Sequence, residues 1–257
     1  IETTANSVIE LGSGSSGMYL IDAVSVKNLG GKIEGSSGNK NVGIYVKNNN
    51  KILNMNNNAN IILGDGSVGL YSKGKGTGSD RNVVTNTGNI VVGKKITDVN
   101  SRVENPSVAI YVENTKLDNN SNITVGEDGI AFYGKNSEII NTADILLGDT
   151  YYNPAKADDP SDSSHRYAVG IYGDQSKIYN NGEIHIGQRG IGIYSYGQTG
   201  DLINDINGKI ISSGDNTVGL LVEGSGSYNV INNGQIILSG KNSVGASINR
   251  NTTLINN

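Results

Sequence analysis

Apolar residues along this chain fall in short, evenly spaced groups, and one group recurs from end to end. It is a five-residue cassette of apolar, small, apolar, usually Tyr, then often apolar. The cassette reads Ser16-Gly17-Met18-Tyr19-Leu20, Val42-Gly43-Ile44-Tyr45-Val46 and Val68-Gly69-Leu70-Tyr71-Ser72. It returns as Val108-Ala109-Ile110-Tyr111-Val112, Ile130-Ala131-Phe132-Tyr133-Gly134, Val169-Gly170-Ile171-Tyr172-Gly173 and Ile191-Gly192-Ile193-Tyr194-Ser195. Two further copies, at Val218-Gly219-Leu220-Leu221-Val222 and Val244-Gly245-Ala246-Ser247-Ile248, lack the tyrosine. The small residue steps by 26, 26, 40, 22, 39, 22, 27 and 26 positions, a base period of 22–27 with two long insertions.

Two more signals follow each cassette. An aliphatic residue is followed two positions on by asparagine, at Asn28, Asn54, Asn86, Asn119, Asn141, Asn180, Asn204, Asn232 and Asn256. A third aliphatic triplet comes next, as in Ile61-Ile62-Leu63, Ile90-Val91-Val92 or Ile145-Leu146-Leu147, often closed by Gly. Each unit therefore predicts three short strands punctuated by Gly and Asn turns, with no helix. One unit cannot bury an apolar face alone, whereas stacked units form a continuous core. The predicted fold is all-β: a right-handed parallel β-helix of about nine coils, three strands per coil, spanning residues 1–257 as one segment. At about 4.8 Å per coil this is a rod of roughly 40 Å.

Strict alternation within a strand places the first and third cassette residues inside, with the small residue and tyrosine outside. The asparagine column predicts an inward amide ladder at a corner, because Asn tolerates left-handed backbone and its amide can donate up and accept from below. The tyrosine column has two readings. Tyr19, Tyr45, Tyr71, Tyr111, Tyr133, Tyr172 and Tyr194 either stack on one another as structure or form an exposed strip for sugars or peptide side chains. Insertions are expected at residues 73–81, 94–107 and 149–168. The last carries Tyr151, Tyr152, Asp158, Asp159, His165 and Arg166, a mixture able to hold a glycan or a cation, though an acidic surface loop is solvated by default.

Composition narrows the classes of function. Net charge is -4 with a pI near 5.2, so bulk attraction to nucleic acid or anionic membrane is not expected. Gly (36) and Asn (37) together oppose helix, while the ordered aliphatic pattern opposes disorder. With no cysteine and only His165 and His185, neither a disulfide nor a thiolate or histidine-rich metal site is expected, nor is any cofactor. No apolar run reaches a membrane span, and none of these residues is expected to serve as a signal peptide. An enzyme on this scaffold needs a convergent pair of carboxylates, and the outward strand positions supply none, so no enzymatic activity is expected. An ice-binding face needs a repeated Thr-x-Thr pattern, which is absent. A phage tail spike shares the fold but usually brings trimerisation elements not seen here.

The apolar-Gly-Ile-Tyr cassettes, Asn corners and Asn-x-Gly-x-Ile segments, taken over Ser7 to Asn257, resemble the passenger regions of bacterial type V autotransporters. They look most like the large outer-membrane autotransporter adhesins of fusobacteria. The resemblance implies a surface-displayed adhesive stalk outside the bacterium, reaching a protein or glycan on a host cell or another bacterium. It also implies anchorage through a membrane β-barrel absent from this chain. A start at Ile1, and ends that interrupt a coil, fit a piece of a longer precursor. The competing expectation is a β-helical polysaccharide-binding or polysaccharide-degrading protein.

Overall fold

The computed structural model describes residues 2–97, 104–152, 168–197, 200–225, 229–249 and 251–257. Their strands build three parallel sheets of nine strands each, plus one two-stranded antiparallel ladder. Each sheet takes one strand from every rung, in chain order, so the chain winds through nine stacked rungs. This is a parallel β-solenoid. The sheet of first strands runs from Ser16–Ile21 to Val244–Ile248, that of second strands from Ser25–Leu29 to Thr253–Asn256, and that of third strands from Val8–Glu10 to Gln235–Leu238.

Backbone hydrogen bonds of the sheets run between rungs, so no rung is satisfied alone and stability comes from neighbour contacts. Each interior rung contributes one fully buried apolar side chain from each sheet. Ile171, Ile178 and Ile184 do so in one rung; Ile110, Leu117 and Ile123 in another. Burying each such chain contributes about 1.5–3 kcal/mol.

Strict alternation fails in the first strands. Val42 is half-buried, Gly43 and Ile44 are both buried, and Tyr45 is half-buried. Pairing runs Val42 to Val68 and Ile44 to Leu70, passing over the glycine, and the same gap recurs in every rung. The small residue therefore points inward, contrary to the alternation rule, and the first apolar residue lies on the outer side. A Cβ on Gly43 would lie 2.7 Å from Ile61 Cγ2 and 2.5 Å from the Gly69 carbonyl. The corner between third and first sheets is thus packed to the backbone and admits at most a methyl group, as at Ala109 and Ala131.

Corners also set the left-handed residues. Asp22, Asn114, Asn136 and Gln175 follow first strands at φ 49°, and Lys40, Asp128, Arg189, Asn216 and Asn242 precede them at φ 54–58°. Asp and Asn accept this conformation readily; Lys, Gln and Arg do so under some strain.

The asparagine column closes the second strands. Nδ2 of Asn57 donates to Oδ1 of Asn86 at 2.7 Å, and the relay continues through Asn119, Asn141, Asn180, Asn204 and Asn232 to Asn256 at 2.7–3.0 Å. The second amide hydrogen of most members caps the carbonyl two residues on, as Asn180 does at Gly182 (2.9 Å). All links point the same way, toward the last rung. Two expected members do not fit. Asn54 is exposed and aligned with Ser25 and Val83; the ladder position in its rung belongs to Asn57. In the first rung Leu29 pairs with Asn57 after a register shift, so Asn28 is out of column, and its side chain lies outside the described set.

Of the insertions, residues 73–81 carry a single 3-10 turn at Gly78–Asp80. Residues 94–107 open and close on the antiparallel ladder of Ile96–Thr97 with Glu104–Asn105. Most of 149–168 lies outside the described residues.

Candidate binding face

The outer side of the first sheet carries three parallel stripes, because its outward positions repeat in register from rung to rung. Tyr19, Tyr45, Tyr71, Tyr111, Tyr133, Tyr172 and Tyr194 form the middle stripe, continued by Leu221 and Ser247. On one side run the first cassette residues, among them Val42, Val68, Ile130 and Val218, all half-buried. On the other run Lys47, Lys73, Glu113, Lys135, Asp174, Tyr196 and Glu223, with Lys73 and Glu113 paired at 3.0 Å.

All seven tyrosines are brought together. Rings from Tyr19 to Tyr133 are stacked, with centroids 4.7–4.9 Å apart and planes within 12°. Tyr172 then tilts by 31° from Tyr133, and Tyr194 stands at 87° to Tyr172. A ring stacked on both sides offers neither face to a ligand. Along most of its length the stripe therefore presents ring edges and phenol hydroxyls; Tyr19, at the open end, is 66% exposed. Stacking at the rung spacing contributes beyond simple area burial, about 0.5–1.5 kcal/mol per pair.

Burial within the stripe also favours the neutral phenol at Tyr71, Tyr111, Tyr133, Tyr172 and Tyr194. Desolvation, with the negative charge of Glu113 or Asp174 added to that of neighbouring rings, pushes Tyr71 and Tyr172 up to about 12. Tyr111 and Tyr133 shift upward for the same reasons. Tyr194 shifts upward through desolvation and through its hydroxyl, which donates to Glu223 Oε2 at 2.7 Å.

The third insertion contributes Tyr151 and Tyr152, both exposed. Tyr152 lies under the Arg189 guanidinium at 3.7 Å, a cation–π contact. The Tyr151 backbone N–H donates to Asp128 Oδ1 at 2.8 Å, and Asp128 pairs with Lys95 at 3.3 Å with both side chains about 95% covered. Asp128 is thus the anchor of this insertion's root. Asp158, Asp159, His165 and Arg166 lie outside the described residues.

Arg189 and Glu223 are residues that the repeat pattern did not single out. Their signal is positional: Arg189 occupies a left-handed corner that other rungs fill with Gly, Asn, Asp or Lys, and Glu223 is the charged-stripe residue one rung beyond Tyr194. On the third sheet, Glu183 links His185 (3.2 Å) and Lys209 (2.5 Å), which hold its carboxyl below the usual range, Lys209 foremost. Among the described residues no three His, Cys, Asp or Glu side chains converge as a metal-binding group. Nor is any helix there long and apolar enough to cross a membrane. No family model, curated protein or solved structure matches this chain.

Proposed function

We propose that this chain is a passenger segment of a bacterial surface adhesin, with the solenoid as its stalk and the tyrosine-bearing sheet as its contact face. The observation that carries this reading is the column register, kept from rung to rung but for one shift in the first rung's second strand. Nine stacked rungs make an elongated body whose one side carries an apolar and a charged stripe, with an aromatic stripe between them over the first seven rungs. Such a face suits an extended partner on a host cell or another bacterium, with phenol hydroxyls and the charged rail supplying polar contacts around an apolar strip. In this reading the segment is extracellular and held to the outer membrane by a β-barrel elsewhere in its precursor.

The test is binding of the fluorescently labelled segment to cultured epithelial cells and to intact bacteria, read by flow cytometry. Saturable binding that falls in a Tyr45→Ser/Tyr71→Ser/Tyr111→Ser variant of unchanged circular dichroism is the expected result. Absence of saturable binding to any surface would leave a spacer in its place. Release of unsaturated uronate from acidic polysaccharides would instead favour a lyase.

A further inference from the structure

Where the tyrosine stack stops, the outer face of the first sheet is hollow. Leu221 and Ser247 stand in register with Tyr194 but carry no ring, and the space so left is a cavity of about 400 Å³. Its floor is aliphatic, made by Ile191, Val218 and Leu221. Tyr194 walls one end, with an aromatic neighbour on one side only, where its ring departs from the parallel stack at 87° to Tyr172. Arg189, Asn216 and Glu223 complete the rim.

We propose that this cavity binds a neutral sugar ring. The inference rests on the adhesive reading and names the ligand class of one end of that face. A pyranose has apolar C–H faces and a belt of hydroxyls that both donate and accept. The floor and Tyr194 match the former; the Arg189 and Asn216 donors and the Glu223 and Asn216 acceptors match the latter. Arg189 and Glu223 cancel in formal charge, so the rim favours neither an anion nor a cation. Both walls are already held in place: Glu223 accepts the Tyr194 hydroxyl at 2.7 Å, and the Arg189 guanidinium rests on Tyr152 at 3.7 Å. Pre-set polar groups over an apolar floor, at a volume within the roughly 300–1,000 Å³ range of small-ligand sites, are what a sugar subsite requires. From Tyr45 to Tyr172 each ring has an aromatic neighbour on both sides, and Tyr19 at the other end is 66% exposed with no cavity beside it among the described residues, so the site belongs to the Tyr194 end.

The experiment is saturation-transfer NMR on the intact segment with the methyl glycosides of glucose, galactose and mannose, and with N-acetyl-tyrosine amide as a peptide-like competitor. At least one glycoside should bind, with a Kd on the order of millimolar. Tyr194→Ala should weaken it at least tenfold, and Tyr179→Ala, on the second sheet, should leave it unchanged. Leu221→Tyr should extend the stack into the cavity and abolish binding while raising the melting temperature, so loss of signal there cannot be misfolding. Glycoside signals absent from wild type, unaltered by Tyr194→Ala and Leu221→Tyr, or replaced by those of the tyrosine amide, would overturn the proposal. Cell binding that persists in Leu221→Tyr would overturn this sugar site as the adhesive contact while leaving the adhesin reading intact; sugar binding without cell binding would do the reverse.

Discussion

Asn180 lies in the middle of the amide column with its side chain fully buried. It donates to the Gly182 carbonyl at 2.9 Å and to Asn204 Oδ1 at 2.9 Å, and accepts from Asn141 Nδ2 at 3.0 Å. Replacement by alanine removes all three bonds, but the losses are unequal. The Gly182 carbonyl keeps the Lys209 backbone N–H at 3.0 Å, and Asn141 Nδ2 keeps the Ala143 carbonyl at 2.8 Å. What is stranded is one N–H of Asn141 and the Asn204 oxygen, in the interior. At about 1–3 kcal/mol for each buried unpaired group, Asn180→Ala should cost roughly 2–6 kcal/mol. The same change at Asn256, exposed and bonded by Asn232 alone, should cost no more than about 1 kcal/mol. At Asn54, exposed and outside the column, the effect should stay within about 0.5 kcal/mol. Urea denaturation followed by far-UV circular dichroism measures all three, and amide hydrogen exchange should place the Asn180 loss in the rungs on either side of it. Equal costs at the three positions would refute the ladder as a source of stability.

Three other outcomes are expected. Ile171→Asp, at a fully buried position, should abolish soluble folding or lower the denaturation midpoint more than any outward change, because an unpaired charge enters the apolar stack; a midpoint equal to wild type would contradict the core assignment. Gly170→Val should cost about 1–3 kcal/mol, since even a Cβ there meets the Gly192 carbonyl at 2.5 Å and Ile184 Cγ2 at 2.8 Å; thermal melts decide, and an unchanged melting temperature would put the glycine outside. The raised tyrosines carry a pH dependence whose sign follows from linkage: the neutral phenol is favoured in the folded state, so its contribution is complete below the unfolded value of about 10 and is lost as pH rises toward about 12. Ultraviolet titration should therefore show Tyr71 and Tyr172 ionising later than free tyrosine, with unfolding in that window; ionisation of both near pH 10 in a still-folded chain would contradict their burial in the stripe.

Most of the fold could be read in the letters because a solenoid turns sequence period into spatial columns. Ile110, Ile171 and Ile193 fall into one inward line, and seven tyrosines into one outward line, with no long-range information needed. The reading failed where local geometry departs from two-residue alternation. Gly43 and Ile44 are both inside because the chain turns a corner there that has room for no more than a methyl group, a limit set by Ile61 in another strand. Asn54 was preferred to Asn57 because Ile52 precedes it at the expected spacing, whereas the buried apolar residue two before the ladder position is Met55, outside the aliphatic rule. Several Asn residues lie close together there, so composition could not choose between them. The site was less legible still. Tyr194 reads like its six fellows, and only its orientation, its bond to Glu223 and the missing ring at Leu221 set it apart. Arg189 reaches Tyr152 across an insertion, a contact that no repeat spacing encodes.

The in-register stacking of consecutive windings is most directly measured by cross-linking, for which this chain is suited because it contains no cysteine. Thr124 and Leu146 are register partners on adjacent rungs, both outward, while Ile62 lies two rungs from Thr124 in the same line. Adjacent parallel strands place partner Cα atoms about 4.8 Å apart, within reach of a disulfide, and two rungs exceed the limit of about 7 Å. Under mild oxidation Thr124→Cys/Leu146→Cys should close an intramolecular disulfide nearly completely, and Ile62→Cys/Thr124→Cys should remain reduced. Comparable closure of both pairs, or failure of the first, would contradict the stacked solenoid.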